Sequence, residues 1–123
     1  MEWQNYKSGD VIFREGEESD AAFLIVSGSV RIIKGLDGPD PQKLATVNAG
    51  EYIGEMGAID HMPRSASAVA DGKVVCAPVT PEAFIDMLVR NPDETIDLLK
   101  ILFERLRAAN RRLAELEASH AGG

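Results

Sequence analysis

The chain has 123 residues, 45% of them apolar and 27% charged, which suits one globular domain with a sizeable core. Its formal net charge of −7 argues against a general nucleic-acid surface, so no direct nucleic-acid binding is expected. No run approaches the roughly 18–20 apolar residues of a membrane span. The start Met1-Glu2-Trp3-Gln4 is neither basic nor apolar, as a secretory leader would be, so the expected location is cytoplasmic. Cys76 is the lone cysteine, which excludes an intrachain disulfide and reads as a small buried hydrophobe.

Short strands are expected over the first three-quarters of the chain. Residues 21–27 form an apolar run, Gly28-Ser29 is a turn candidate, and 30–34 is a second strand. Residues 35–41 carry two Gly, two Asp and two Pro and read as a loop. Residues 43–47 alternate as a strand, and Asn48-Ala49-Gly50-Glu51 turns. Two more strands, 67–71 and 73–77, flank Gly72. Many closely spaced short strands suggest a sandwich or barrel.

Thr80-Pro81 then marks a helix start, with a hydroxyl cap and a proline at the first helical position. This helix runs to about Arg90. Asn91-Pro92 breaks it, because the residue before a proline avoids helical backbone. A second helix covers about 93–118, and Gly122 and Gly123 are expected to fray. The result is a single domain over 1–123, with strands in about 6–78 and helices in about 80–118.

Along the last helix, Leu99, Leu102, Leu106, Ala109, Leu113 and Leu116 are spaced 3, 4, 3, 4 and 3 residues apart, a heptad seam. Arg112 and Glu117 fall at flanking g and e positions. The seam fits a parallel homodimer through 99–116. It also fits one helix lying on its own domain's core.

The segment with the clearest chemistry runs from Gly54 to Ala66: Gly-Glu-Met-Gly-Ala-Ile-Asp-His-Met-Pro-Arg-Ser-Ala. A guanidinium such as Arg64 matches a phosphate as a planar fork of donors. Gly57 and Ala58 are expected to open a short helix, whose first N–H groups are free to meet an anion. The Glu55 carboxylate suits a sugar hydroxyl rather than the phosphate. Taken singly, Arg64 and Glu55 would read as solvated surface charges; together they read as capture of a sugar phosphate.

This segment resembles the phosphate-binding cassette of the cyclic nucleotide-binding domain family. Gly54, Glu55, Met56, Gly57, Ala58, Ile59, Pro63, Arg64, Ser65 and Ala66 fit its pattern without a gap. Residues 8–16 resemble the family's opening turn and strand, and 22–32 its central hairpin, so the likeness covers most of 6–117. Ile53 stands where the family often has Phe, and it stays apolar.

The resemblance implies a mainly β fold with α elements: an eight-stranded antiparallel jelly-roll barrel with a short cassette helix and two C-terminal helices. It implies cAMP, the preferred ligand, or cGMP, and no metal. Arg64 and the cassette amides, with Met56 and Ala66 in the same loop, would meet the phosphate, and Glu55 the ribose 2′-hydroxyl. Ser65 would serve the phosphate or a guanine amino group, or simply cap a turn. Ile32, Leu44 and Ala68 would pack around base and sugar, with plain core packing the simpler role. Arg105 and Asn110 would reach the purine, or stay solvated or at the dimer seam. Such a module senses a cyclic purine nucleotide and couples occupancy to the C-terminal helix. The rival is an interaction or dimerisation module whose pocket has no signalling ligand.

An enzyme is not expected. His61 and His120 are the only histidines, no His, Cys and carboxylate cluster has metal-ligand spacing, and Ser27-Gly28-Ser29 lacks a nucleophile-elbow frame. No winged helix-turn-helix follows and no membrane helices precede, so a stand-alone sensor is expected over a fragment.

Overall fold

The structure, a computed structural model, describes residues 2–121, and of Met56, Ala58 and residues 119–121 the backbone alone. The expected fraying of Gly122 and Gly123 falls outside the described residues. Six strands are formed among these residues: β1 (Gln4–Tyr6), β2 (Val11–Phe13), β3 (Ala22–Lys34), β4 (Gln42–Asn48), β5 (Tyr52–Ile53) and β6 (Ser67–Val79). The helices are α1 (Glu55–Asp60), α2 (Pro81–Arg90) and α3 (Pro92–Ala121). The chain divides into two compact units, Met1–Asp86 and Met87–Gly123.

All ladders of the first unit are antiparallel, in the order β1-β6-β3-β4, with β2 also on β6 and β5 on β3. The long partners β3 and β6 set the register, pairing Val30 with Ala70 and Ile32 with Ala68. This pairing turns alternate residues to one face. There Phe13, Phe23, Ile25, Val30, Val47, Ile53, Ala68, Ala70, Val74 and Cys76 make one buried cluster, with Ile32 against it.

The strand count differs from the eight that the resemblance implies, because β3 and β6 each run for 13 residues through a glycine expected to end a strand. Gly28 is not a hairpin turn. It adopts φ 92°, and a β-carbon there would fall on the Lys73 main-chain oxygen. Between the pairs Ser29↔Asp71 and Ser27↔Val75, Gly28 faces Gly72, Lys73 and Val74. This is a bulge, which bends a ladder without ending it. Gly72, at φ 80°, supplies the matching bend on β6. The strands β1 and β5 have three and two residues, too few to show an alternating pattern.

The turn at 48–51 forms as expected, with the Glu51 N–H donating to Asn48 O at 3.1 Å. At the start of α2, Thr80 Oγ1 accepts the Ala83 N–H at 3.1 Å, the expected cap. The fully buried Phe84 of α2 meets the Tyr52 ring edge-on, with centroids 5.2 Å apart. The last helix starts at Pro92 itself and continues to Ala121, beyond the expected 93–118. Its entry is tied locally: Thr95 Oγ1 donates to Leu88 O at 2.6 Å, and Asn91 Nδ2 to Met87 O at 2.9 Å. Among the described residues no helix is long and apolar enough to cross a membrane.

Candidate ligand-binding site

The cassette helix begins at Glu55, two residues before the expected opening at Gly57. Gly54 caps it in the left-handed conformation (φ 71°, ψ 14°), which lets the chain turn sharply out of β5 into α1. Gly57 instead lies inside α1, and a β-carbon there would fall on the Ser19 side chain. The helix therefore docks closely on the segment before β3. It ends at His61, also left-handed (φ 58°), whose N–H donates to Gly57 O at 3.1 Å. Asp60 Oδ1 accepts the Met62 N–H at 3.0 Å and turns the chain toward Arg64.

The backbone of Arg64 is pinned to the segment after β2. Its N–H donates to Glu17 O at 2.9 Å, and its carbonyl accepts the Gly16 N–H at 2.8 Å. Arg64 is only 6% exposed, unlike a solvated surface arginine. Nη2 donates to Ala21 O at 2.8 Å and Nη1 to Gly54 O at 3.2 Å, while Nε–H is buried and meets no acceptor among the described residues. The guanidinium carbon lies 4.3 Å from the centre of the Phe13 ring. Burial pushes the Arg64 pKa below its ordinary value, opposed in turn by Asp20, Glu17 and Glu55. An arginine remains charged through such a shift, so the site holds a buried cation among carboxylates.

Glu55, 3% exposed, stands in the first turn of α1 and adds its charge to this group. The two residues singled out for phosphate and ribose are therefore both buried, and close enough to interact electrostatically. Ser65 is exposed, and its carbonyl accepts from Lys34 Nζ at 3.0 Å. Ala66 is buried beside it.

On the sheet, Ile32 pairs with Ala68 of β6 and with Ala45 of β4. Leu44 falls at the register shift between Ile32↔Ala45 and Ile33↔Lys43, and is 42% exposed. These three residues thus share one part of the sheet. Met56 and Ala58 take their places in the α1 backbone. Arg105, half-buried, and Asn110, exposed, lie on α3 in the second unit.

The sequence did not single out three of the residues that shape this site. Phe13 supplies the ring beneath Arg64. Lys34 bridges the Ser65 carbonyl and Glu15 Oε2, at 3.0 Å from each. Glu15 Oε1 in turn accepts the Gly35 N–H at 3.1 Å, and these contacts lower the Glu15 pKa. None of these pairs has a local signature, because each joins segments far apart in the chain. Among the described residues, no group of three or more His, Cys, Asp and Glu is placed to hold a metal ion.

Such a cassette defines a class of protein, and the comparisons agree. The model of the cyclic nucleotide-binding domain matches residues 3–91, and the chain belongs to this family. It is 37% identical over 86 residues to cGMP-dependent protein kinase 2 of Homo sapiens, covering 68% of this chain and 11% of the kinase. It is 31% identical over 114 residues to the CRP-like cAMP-activated global transcriptional regulator of Mycobacterium tuberculosis, covering 91% of this chain and 50% of the regulator. The crystal structure of Thermus thermophilus catabolite activator protein superposes with a TM-score of 0.76 at 33% identity, over 94% of this chain and 55% of that one. The chain thus spans half or less of the length of these two curated relatives.

Proposed function

We propose that this chain is a sensor of a cyclic purine nucleotide, cAMP in preference to cGMP, and not an enzyme. The carrying observation is the buried pair at the two ends of the cassette. Arg64 is held by two main-chain carbonyls with its Nε–H unpartnered among the described residues, and Glu55 is buried nearby. An unmet buried donor costs about 1–3 kcal/mol, which an anionic acceptor recovers. In this reading Arg64 and the cassette amides neutralise the phosphate. Glu55 accepts the ribose 2′-hydroxyl, and Ser65 completes the phosphate shell. Ile32, Leu44 and Ala68 pack on sugar and base within a jelly-roll barrel.

The signal is differential binding. The nucleotide prefers the state in which Arg105 and Asn110 of α3 contact the purine, so occupancy shifts the position of that helix. Residues 1–123 act in this as one domain, and α3 pairs with a second copy. Supporting the pairing, Leu99, Leu106, Leu113 and Leu116 are 43%, 57%, 57% and 53% exposed in the single chain. The output lies with whatever this helix or its pair touches.

Calorimetric titration with cAMP and cGMP side by side, with AMP as a control, tests the reading. Saturable binding of a cyclic nucleotide is expected, with cAMP tighter and AMP weak. Ligand at about 100 times its dissociation constant then stabilises the fold by roughly 2.7 kcal/mol. Absence of binding by both cyclic nucleotides at millimolar concentration refutes it.

A further inference from the structure

We infer that Phe13 is the positioning residue for Arg64: the face of its ring sets the tilt of the guanidinium and so aims the donors left for the ligand. The inference rests on the proposed binding of a cyclic nucleotide and deepens it. The bonds from Nη1 to Gly54 O and from Nη2 to Ala21 O fix two ends of the planar group. Those two bonds hold the group against sliding in its plane more firmly than against tilting about the line joining the two nitrogens, and such a tilt swings Nε–H. The Phe13 ring, 4.3 Å from the guanidinium carbon, removes this freedom from one side.

The ring is itself held. Phe13 is buried and stacks on Phe23, with centroids 6.1 Å apart and planes 26° apart, and Phe23 lies 5.7 Å from the same carbon. A cation over an aromatic face is attracted by the ring quadrupole, most strongly where water is excluded, and here both partners are buried. Gly54 completes the fit, since a β-carbon there would fall on Nη1 and lie 3.3 Å from Phe13 Cε2. A leucine at position 13 would fill similar space without a π face. The chemistry thus calls for an aromatic residue, beyond simple core filling.

The test is a series of full-length proteins in which Phe13 is replaced by mono-, di- and trifluorinated phenylalanine. Fluorination weakens the quadrupole and barely changes the ring's size. Two quantities are read: the affinity for cAMP, and the melting temperature without ligand. Affinity should fall stepwise with fluorine number, to roughly fivefold weaker at the last step. The same series at Phe84, a buried ring whose aromatic partner is Tyr52, should show no such trend. Melting should also fall stepwise, and this slope should vanish in an Arg64→Met background.

A flat affinity series in a protein that binds cAMP overturns the inference, because Phe13 then only fills space. Affinity that rises with fluorination also overturns it, because the ring would then be holding Arg64 away from the ligand. A parent protein that binds neither nucleotide is a separate result, which refutes the proposed function. The melting slope then decides whether the ring holds the guanidinium at all.

Discussion

Gly54→Ala should be among the costliest single-methyl changes in this chain, and the cost divides into two measurable parts. The first is backbone. Gly54 has φ 71°, where an L side chain costs about 1–2 kcal/mol. The second is the new methyl, which falls on Arg64 Nη1 and lies 3.2 Å from Cζ and 3.3 Å from Phe13 Cε2. The guanidinium must withdraw, giving up the bond to Gly54 O and loosening the one to Ala21 O. Bonds to charged groups are worth about 1.5–3 kcal/mol each, so a total of about 2.5–5 kcal/mol follows if one is lost. Gly35→Ala isolates the backbone part, because Gly35 has nearly the same φ, 69°, and its nearest neighbour would be Asp40 O at 3.9 Å. Urea unfolding of both variants should show midpoints reduced at constant slope, with Gly54→Ala worse by about 2 kcal/mol. Its affinity for cAMP should fall as well, while that of Gly35→Ala holds. Equal stability losses would mean that Arg64 yields at no cost, and the tight seating of its guanidinium would be refuted.

Glu55→Ala should weaken cAMP about tenfold and leave 2′-deoxy-cAMP unchanged, by loss of one hydrogen bond to an ionised acceptor; equal losses in calorimetry would remove Glu55 from the ribose role. Leu106→Glu should convert a dimer to monomers in sedimentation, and a parent chain already monomeric at tens of micromolar would sink the pairing. Arg105→Ala or Asn110→Ala should each lower cAMP affinity about fivefold to thirtyfold, and cAMP should slow amide exchange over 99–113; unchanged exchange there refutes closure of the helix. The Gly35 N–H and Lys34 lower the pKa of Glu15, so its contribution is fully present above the ordinary value near 4.5 and lost as pH falls through the lowered native value. The stability advantage of the parent over Glu15→Gln should therefore shrink on acidification below that value, and an advantage constant from pH 6 to about 3 would exclude the linkage.

What could be read from the sequence was what depends on near neighbours. The Thr80 hydroxyl, Pro81 and the Asn91-Pro92 break act within one helical turn, and α2 and α3 begin where those residues place them. The cassette was legible because Gly54 to Ala66 is continuous, and the structure buries both Glu55 and Arg64 from it. Gly28 and Gly72 break strands in the sequence pattern but not in the structure, for a physical reason. A glycine at positive φ serves a tight turn and a bulge equally well, and only the main chain of Lys73 facing Gly28 decides between them. The expected helix start at Gly57 differs for a similar reason: the missing side chain of Gly57 makes room for Ser19, while the cap falls to Gly54. Phe13 sat in an apolar strand triplet with nothing local to separate it from core.

Under the proposed function, these long-range contacts would make an arginine suit the site better than a lysine. A lysine at position 64 would present one point of charge, free to follow a ligand. The guanidinium instead joins separate pieces of chain at once. It holds the carbonyl of Ala21, just before β3, and that of Gly54, at the cap of α1, while its own backbone pairs with Gly16 and Glu17. In that reading, a phosphate that draws this group would also draw on both carbonyls, and the event would be felt where α1 begins and where β3 begins. The ring of Phe13 limits that draw in one direction. Arg64→Lys therefore separates charge from geometry: cAMP binding should weaken, and amide protection at Gly16 and at position 64 should respond less to ligand. If protection there responds as strongly as in the parent, charge alone suffices and the fork of donors is not what couples these segments.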